Sequence, residues 1–238
     1  MNSLNQSSYW YLENTDLSQI FCPRKMEASM HQVDHKTFQK GEYIFLPGDN
    51  ADKIYFIVEG RVKIGAYSDT GKEITKAIIS EGEVFGELPL VGEEYRRNFA
   101  MSMENTTACV LSVEQMKGLM REHSPLNLFF MKILGNRVLE MEKRLESLVF
   151  KDSRSRVVEY LKELCETKGQ RVGYEWVVRK FLTHQDIANI TATSRQTVTT
   201  VLNDLENKNI LTYNRRRMLV RDLDALASAA KEMAGSGH

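Results

Sequence analysis

Residues 38–112 carry apolar positions in short β-rich runs broken by turn signals. The runs are 43–46, followed by Pro47-Gly48-Asp49-Asn50, then 54–60, 61–68 before Asp69-Thr70-Gly71, 73–79, and 106–112. Many short strands at this spacing predict a jelly-roll barrel or sandwich. Gly41, Gly48, Gly60, Gly65, Gly71, Gly82 and Gly86 fall between the runs or at their ends and read as corners.

The period turns helical over residues 124–150, where Met131, Leu134, Val138, Met141, Leu145 and Leu148 recur at alternating steps of three and four. Glu140 and Arg144 can pair one turn apart on the flank. Such a seam fits a helix lying on the barrel, or a dimerisation helix in a two-chain coiled coil. The repeat is too short to decide between them.

A polar break at residues 151–155 begins a third pattern. A helix is predicted at about 154–166, a short β pair near 172–181, then two closely spaced helices. Thr183 can cap the helix HQDIANIT, and Ser194 can cap RQTVTTVLNDLENK. Two short helices joined by about four residues read as a helix-turn-helix, and the hairpin after them, over 210–222, reads as its wing. The fold class is therefore α+β: a jelly-roll β-domain (1–123), a long dimerisation helix (124–150), and a winged helix-turn-helix domain (151–238).

Charge changes the picture only locally. Lys plus Arg and Asp plus Glu balance at 32 each, yet residues 179–221 hold eight cations against three acids. Arginines in a turn can be merely solvated, but these stand beside a helix-turn-helix and suit phosphates. Thr183, Ser194, Arg195, Gln196, Thr197, Thr199 and Thr200, with Arg215, Arg216 and Arg217 in the wing, are the candidate DNA contacts.

Three scattered cysteines, Cys22, Cys109 and Cys165, form no zinc or disulfide framework and fit a reducing cytoplasm. The first 17 residues lack the pattern of a signal peptide, no run approaches the length of a membrane span, and the closing GSGH reads as a tag remnant or a frayed tail. A metal-dependent cupin would need histidines on its strands, but His31, His35, His123, His184 and His238 leave residues 36–122 without one. His31 and His35, one turn apart, lack a third ligand. No catalytic constellation stands out, so a non-enzyme is expected.

One stretch invites a ligand. In GELPLVGEEYRRN, residues 86–98, a Gly-Glu-Leu step is followed about ten residues later by paired arginines, a spacing suited to a pocket for one negative group.

That stretch resembles the phosphate-binding cassette of the CRP/FNR family of bacterial transcription regulators. TSRQTVTTVLNDLE resembles the family's recognition helix, and the order β-roll, long helix, winged helix-turn-helix is similar over residues 30–225. The resemblance implies a cytoplasmic homodimer on a palindromic operator, contacting RNA polymerase if it activates. It implies that Glu87 accepts from a ribose hydroxyl, that Arg97 pairs with a cyclic phosphate, with Arg96 able to exchange this role, and that Gly86 and Leu88 line the phosphate turn. The resemblance also implies a hinge at Phe150-Lys151-Asp152.

Departures from the family pattern count as well. Asn98 stands where cyclic AMP receptors carry Ser or Thr, and Met141 and Glu142 replace the pair that reads adenine. Cyclic AMP, another nucleotide or anion, and no effector at all remain the three readings. The iron-sulfur and haem sensors of the family lack their ligands here. Arg195 is the candidate for a guanine or a nearby phosphate. Gln196 and Thr200 replace a usual glutamate and arginine, which implies a half-site unlike the family's standard ones. Ala192 occupies a turn position commonly held by glycine, which implies either about 1 to 2 kcal/mol of strain or a differently built turn.

Overall fold

The computed structural model describes residues 11–12, 15–16 and 34–235. Cys22, His31, His238, the signal-peptide reading and residues 236–238 lie outside the described residues.

Strands β1 (Tyr11–Leu12) and β2 (Thr15–Asp16) form a small antiparallel pair. Then follow β3 (Asp34–Phe38), β4 (Tyr43–Phe45), β5 (Lys53–Glu59), β6 (Arg61–Tyr67), β7 (Glu73–Ser80), β8 (Val84–Phe85), a 3-10 helix (Leu88–Val91), β9 (Phe99–Ser102) and β10 (Thr106–Ser112). Helices α1 (Val113–Glu122), α2 (Pro125–Phe150) and α3 (Ser153–Lys168) lead to β11 (Gln170–Val172) and β12 (Glu175–Arg179). The chain ends with α4 (His184–Thr191), α5 (Arg195–Asn207), β13 (Leu211–Tyr213), β14 (Arg217–Val220) and α6 (Leu223–Gly235).

Two compact units result, residues 1–139 and 140–238, with the boundary inside α2. In the first, two four-stranded antiparallel sheets, β3-β10-β5-β8 and β4-β9-β6-β7, make the jelly-roll layers. Alternation along β5 and β10 explains their unbroken apolar runs. Tyr55, Ile57, Ala108 and Val110 point between the sheets, where they join Phe45, Val62 and Phe85. Ile54, Phe56, Cys109 and Leu111 point the other way, onto Met116 and Leu119 of α1 and Leu126, Phe129, Phe130 and Ile133 of α2. Strands covered on both faces lose polar alternation because neither side meets water. The first half of the long helix thus lies on the sheet through Leu126, Phe129, Phe130 and Ile133.

In the second unit, the predicted β pair and the wing share one four-stranded sheet, β11-β12-β14-β13. Elements that the pattern left out have local reasons. The residues of β3 are exposed except Phe38, so the strand shows no apolar alternation. The capping box of α1, Ser112 with Gln115, hides at the end of a strand. Asp222 precedes alanine-rich α6, and its carboxylate accepts from the backbone N–H groups of Asp224 and Ala225. Gly65 is not a corner but lies within β6 at a bulge, where a Cβ would approach the Phe99 ring and the Ile74 carbonyl to 2.5 Å.

Candidate effector cavity and DNA-binding surface

The chain leaves β8 through Gly86, at φ +75°, where a Cβ would lie 3.1 Å from the Tyr55 ring and 3.2 Å from the Lys53 carbonyl. Glycine alone satisfies both the left-handed backbone and the close approach. The turn is pinned by Arg96. This side chain is buried over the Phe45 ring at 4.5 Å, donates from Nη1 to the Gly86 carbonyl (3.1 Å) and from Nη2 to that of Lys53, and lies 3.7 Å from Glu93. Burial pulls its pKa down from the ordinary arginine value.

Glu87 is 1% exposed. Its Oε1 accepts from Nη1 of Arg137 on α2, while Nη2 of Arg137 donates to the Val84 carbonyl at 2.7 Å. Glu87 Oε2 is buried with no hydrogen-bond partner among the described residues. Arg97 is exposed and free of ion pairs among those residues. Asn98 Oδ1 accepts from Lys76 Nζ at 2.7 Å. Gly86, Glu87, Leu88, Arg96, Arg97 and Asn98 are thus brought to one cavity, which Arg137 also lines and for which Phe45, Ile64 and Phe85 supply apolar wall. Met141 and Glu142 belong to the other unit and are not among the lining residues. Sequence reasoning missed Arg137. Its signal was there: Leu126, Phe130, Ile133 and Arg137 recur at steps of four, three and four on the buried side of the helix.

In the second unit, Thr183 caps α4 and forms a capping box with Asp186, and Ser194 caps α5 by accepting from the Thr197 backbone. The hydroxyls of Ser194 and Thr197 also bond each other at 2.8 Å. Thr199 is engaged inside the domain, by His184 Nδ1 at 2.8 Å and by the Arg195 carbonyl at 3.0 Å. Arg195, Gln196 and Thr200 are exposed, and Asn203 extends their face by another turn. Asn203, which the sequence did not single out, accepts from the Tyr213 hydroxyl at 3.2 Å and so ties the helix to the wing. The wing turn is held by Asn214 Oδ1, which accepts from the N–H groups of Arg216 and Arg217 and leaves the side chains of Arg215, Arg216 and Arg217 exposed.

Ala192 keeps the left-handed conformation, φ 50° and ψ 48°. The strained alternative is the one realised, not a rebuilt turn. Arg156, also missed from sequence, compensates: Nε donates to the Thr191 carbonyl (2.9 Å), Nη2 to that of Ala192 (3.1 Å) and Nη1 to that of Lys151 (2.8 Å).

Along α2, Met131, Val138, Met141, Leu145 and Leu148 are 50% to 70% exposed, and Leu134 is half-buried. Among the described residues no cluster of three or more metal-ligating side chains occurs, and no helix is long and apolar enough to cross a membrane.

Family models match both units: a cyclic nucleotide-binding domain over residues 35–123 and a Crp-like helix-turn-helix domain over 155–229. The chain is 34% identical to the global nitrogen regulator of a Synechocystis species, across 90% of this chain and 96% of that protein. It is 25% identical to the CRP-like cAMP-activated global transcriptional regulator of Mycobacterium tuberculosis, across 88% and 93%. Among solved structures, a mutant CooA from Carboxydothermus hydrogenoformans superposes with a TM-score of 0.77 at 25% identity, covering 93% of this chain and 99% of that one. The domain order, the cassette, the recognition helix and these likenesses agree: the chain belongs to the CRP/FNR family, and is a DNA-binding transcription regulator rather than an enzyme.

Proposed function

We propose that this regulator acts as a homodimer on a palindromic operator and that its DNA affinity is set by a small anionic effector, cyclic AMP foremost, held in the cavity of the β-domain. The observation that carries the effector is the pairing of a buried, unpartnered acceptor, Glu87 Oε2, with the exposed, uncommitted Arg97 at one cavity. A buried acceptor left empty costs about 1 to 3 kcal/mol, which a ligand hydroxyl would recover. An anion on Arg97 and a hydroxyl on Glu87 are what a cyclic nucleotide offers, and a cAMP-activated relative supports that chemistry.

Arg137 gives the cavity a route to the long helix. Any effector that bonds Glu87 alters the carboxylate holding Arg137, and so biases α2. The exposed apolar row on α2 supports pairing with a second copy, which sets two recognition helices about one DNA turn apart. Arg195, Gln196 and Thr200 read the groove, and Arg215, Arg216 and Arg217 grip phosphates. In an activating context, RNA polymerase is the further partner.

A second reading, regulation without an effector, is favoured by one observation: Arg96 and Arg137 are already committed to protein acceptors. The two readings separate on a duplex selected from a random pool, with affinity followed by fluorescence anisotropy. Gating by cyclic AMP raises affinity by about 5- to 150-fold, and Arg97→Ala abolishes the rise. Equal affinity with and without saturating cyclic AMP supports the second reading.

A further inference from the structure

Three elements of the DNA-binding unit meet at one imidazole. His184 opens α4, its Nδ1 lies 2.8 Å from Thr199 Oγ1 of α5, and its ring sits 5.6 Å from the Tyr213 ring at the end of β13. A Thr199 hydroxyl that donates to the Arg195 carbonyl selects one tautomer. Thr199 Oγ1 donates to the Arg195 carbonyl one turn back, so toward the ring it can only accept. Neutral His184 therefore carries its proton on Nδ1 and leaves Nε2 as an acceptor, a group that gains nothing from a polyanion. Protonation at Nε2 keeps the Thr199 bond and adds a donor and a positive charge beside Arg195.

We propose that His184 is a proton-linked part of the DNA-binding surface: each protomer takes up one proton from solvent at His184 Nε2 when duplex DNA binds. The inference rests on the DNA-binding role of the family and not on the effector reading.

The charges around the ring set the direction. From α5, Arg195 opposes protonation; from the wing, the neighbour is the Tyr213 phenol, itself pushed up by burial and by Glu206. On its own helix, Asp186 is bonded by the Thr183 cap. Burial first, and Arg195 second, hold the His184 pKa below its ordinary value in the free protein. DNA phosphates at Arg195 neutralise the opposing cation, so the pKa rises on binding. Affinity then increases as pH falls through the bound-state pKa, and levels off below the free-state pKa.

The test follows anisotropy of a selected duplex between about pH 8 and pH 5.5, where histidine titrates, at fixed salt. The full-length protein is compared with His184→Asn, whose amide can keep the donor to Thr199 but does not titrate. Wild type should gain affinity on acidification by up to about tenfold per pH unit for each histidine, and the variant should lose that part of the slope. An identical slope in both proteins overturns the proposal. Should the variant fold poorly, NMR titration of the His184 ring in wild-type protein decides: a pKa raised by DNA supports the proposal, and an unchanged or lowered one overturns it.

Discussion

The arginines at the two candidate sites do opposite work. In the β-domain, Arg96 and Arg137 are spent on protein acceptors, the carbonyls of Gly86, Lys53 and Val84 and the carboxylate of Glu87. In the DNA-binding unit, Arg195, Arg215, Arg216 and Arg217 are exposed, and there the backbone does the holding, through the Ser194 cap and the Asn214 turn. A guanidinium turned to protein acceptors shapes a site, whereas one left exposed is available to a ligand. Arg97 has the exposure of the second class and the location of the first, which makes it the proposed binding group of the cavity.

Substitutions can break this comparison in order of size. Arg96→Ala should cost about 3 to 5 kcal/mol, because it strands buried carbonyls and empties the space over Phe45. Calorimetry should show the β-domain melting on the order of 10 °C lower, and an unchanged transition would remove Arg96 from the structural class. Arg195→Ala should lose about 1 to 3 kcal/mol of specific over non-specific binding if its donors meet a base. Arg216→Ala should weaken all duplexes alike and make the salt slope shallower by about one. Loss confined to one operator would make Arg216 a sequence reader instead.

Two smaller effects sharpen the picture at the turn and at His184. Ala192→Gly relieves about 1 to 2 kcal/mol of left-handed strain but loosens the unfolded chain by about 0.4 to 1 kcal/mol. A net stabilisation near 1 kcal/mol or below is expected in urea unfolding, and destabilisation would show that the turn is unstrained. His184, with its folded-state pKa lowered, makes the unfolded state the better proton acceptor. Stability of the free protein should hold above the ordinary pKa near 6.5 and fall as pH drops through it toward the folded value. His184→Asn should flatten that fall.

What could be read from sequence was what repeats locally. The caps at Thr183 and Ser194 placed the starts of α4 and α5, because a cap is a contact within four residues. The α+β class followed from the change of period, and the cassette residues 86–88 and 96–98 do gather at one cavity. The partners in long-range contacts left no such trace, although the helical period does set Arg137 on the buried side of its helix. Arg137 meets Glu87 across 50 residues, and Arg156 reaches the helix-turn-helix turn across 35. Thr199, read as a DNA contact, spends its hydroxyl on His184, 15 residues upstream, which no spacing rule reveals. Leu134 also differs from the rest of the seam: it is half-buried, while its neighbours in the row stay exposed.

The central claim, that Arg97 and Glu87 form an effector site, is met most directly by calorimetric titration of cyclic AMP into the purified protein beside Arg97→Ala. Saturable heat at micromolar or lower Kd is expected in wild type and lost in the variant, although the variant's stability stays within about 0.5 kcal/mol, as expected at an exposed position. Absence of heat in wild type, or equal binding in both proteins, would contradict it.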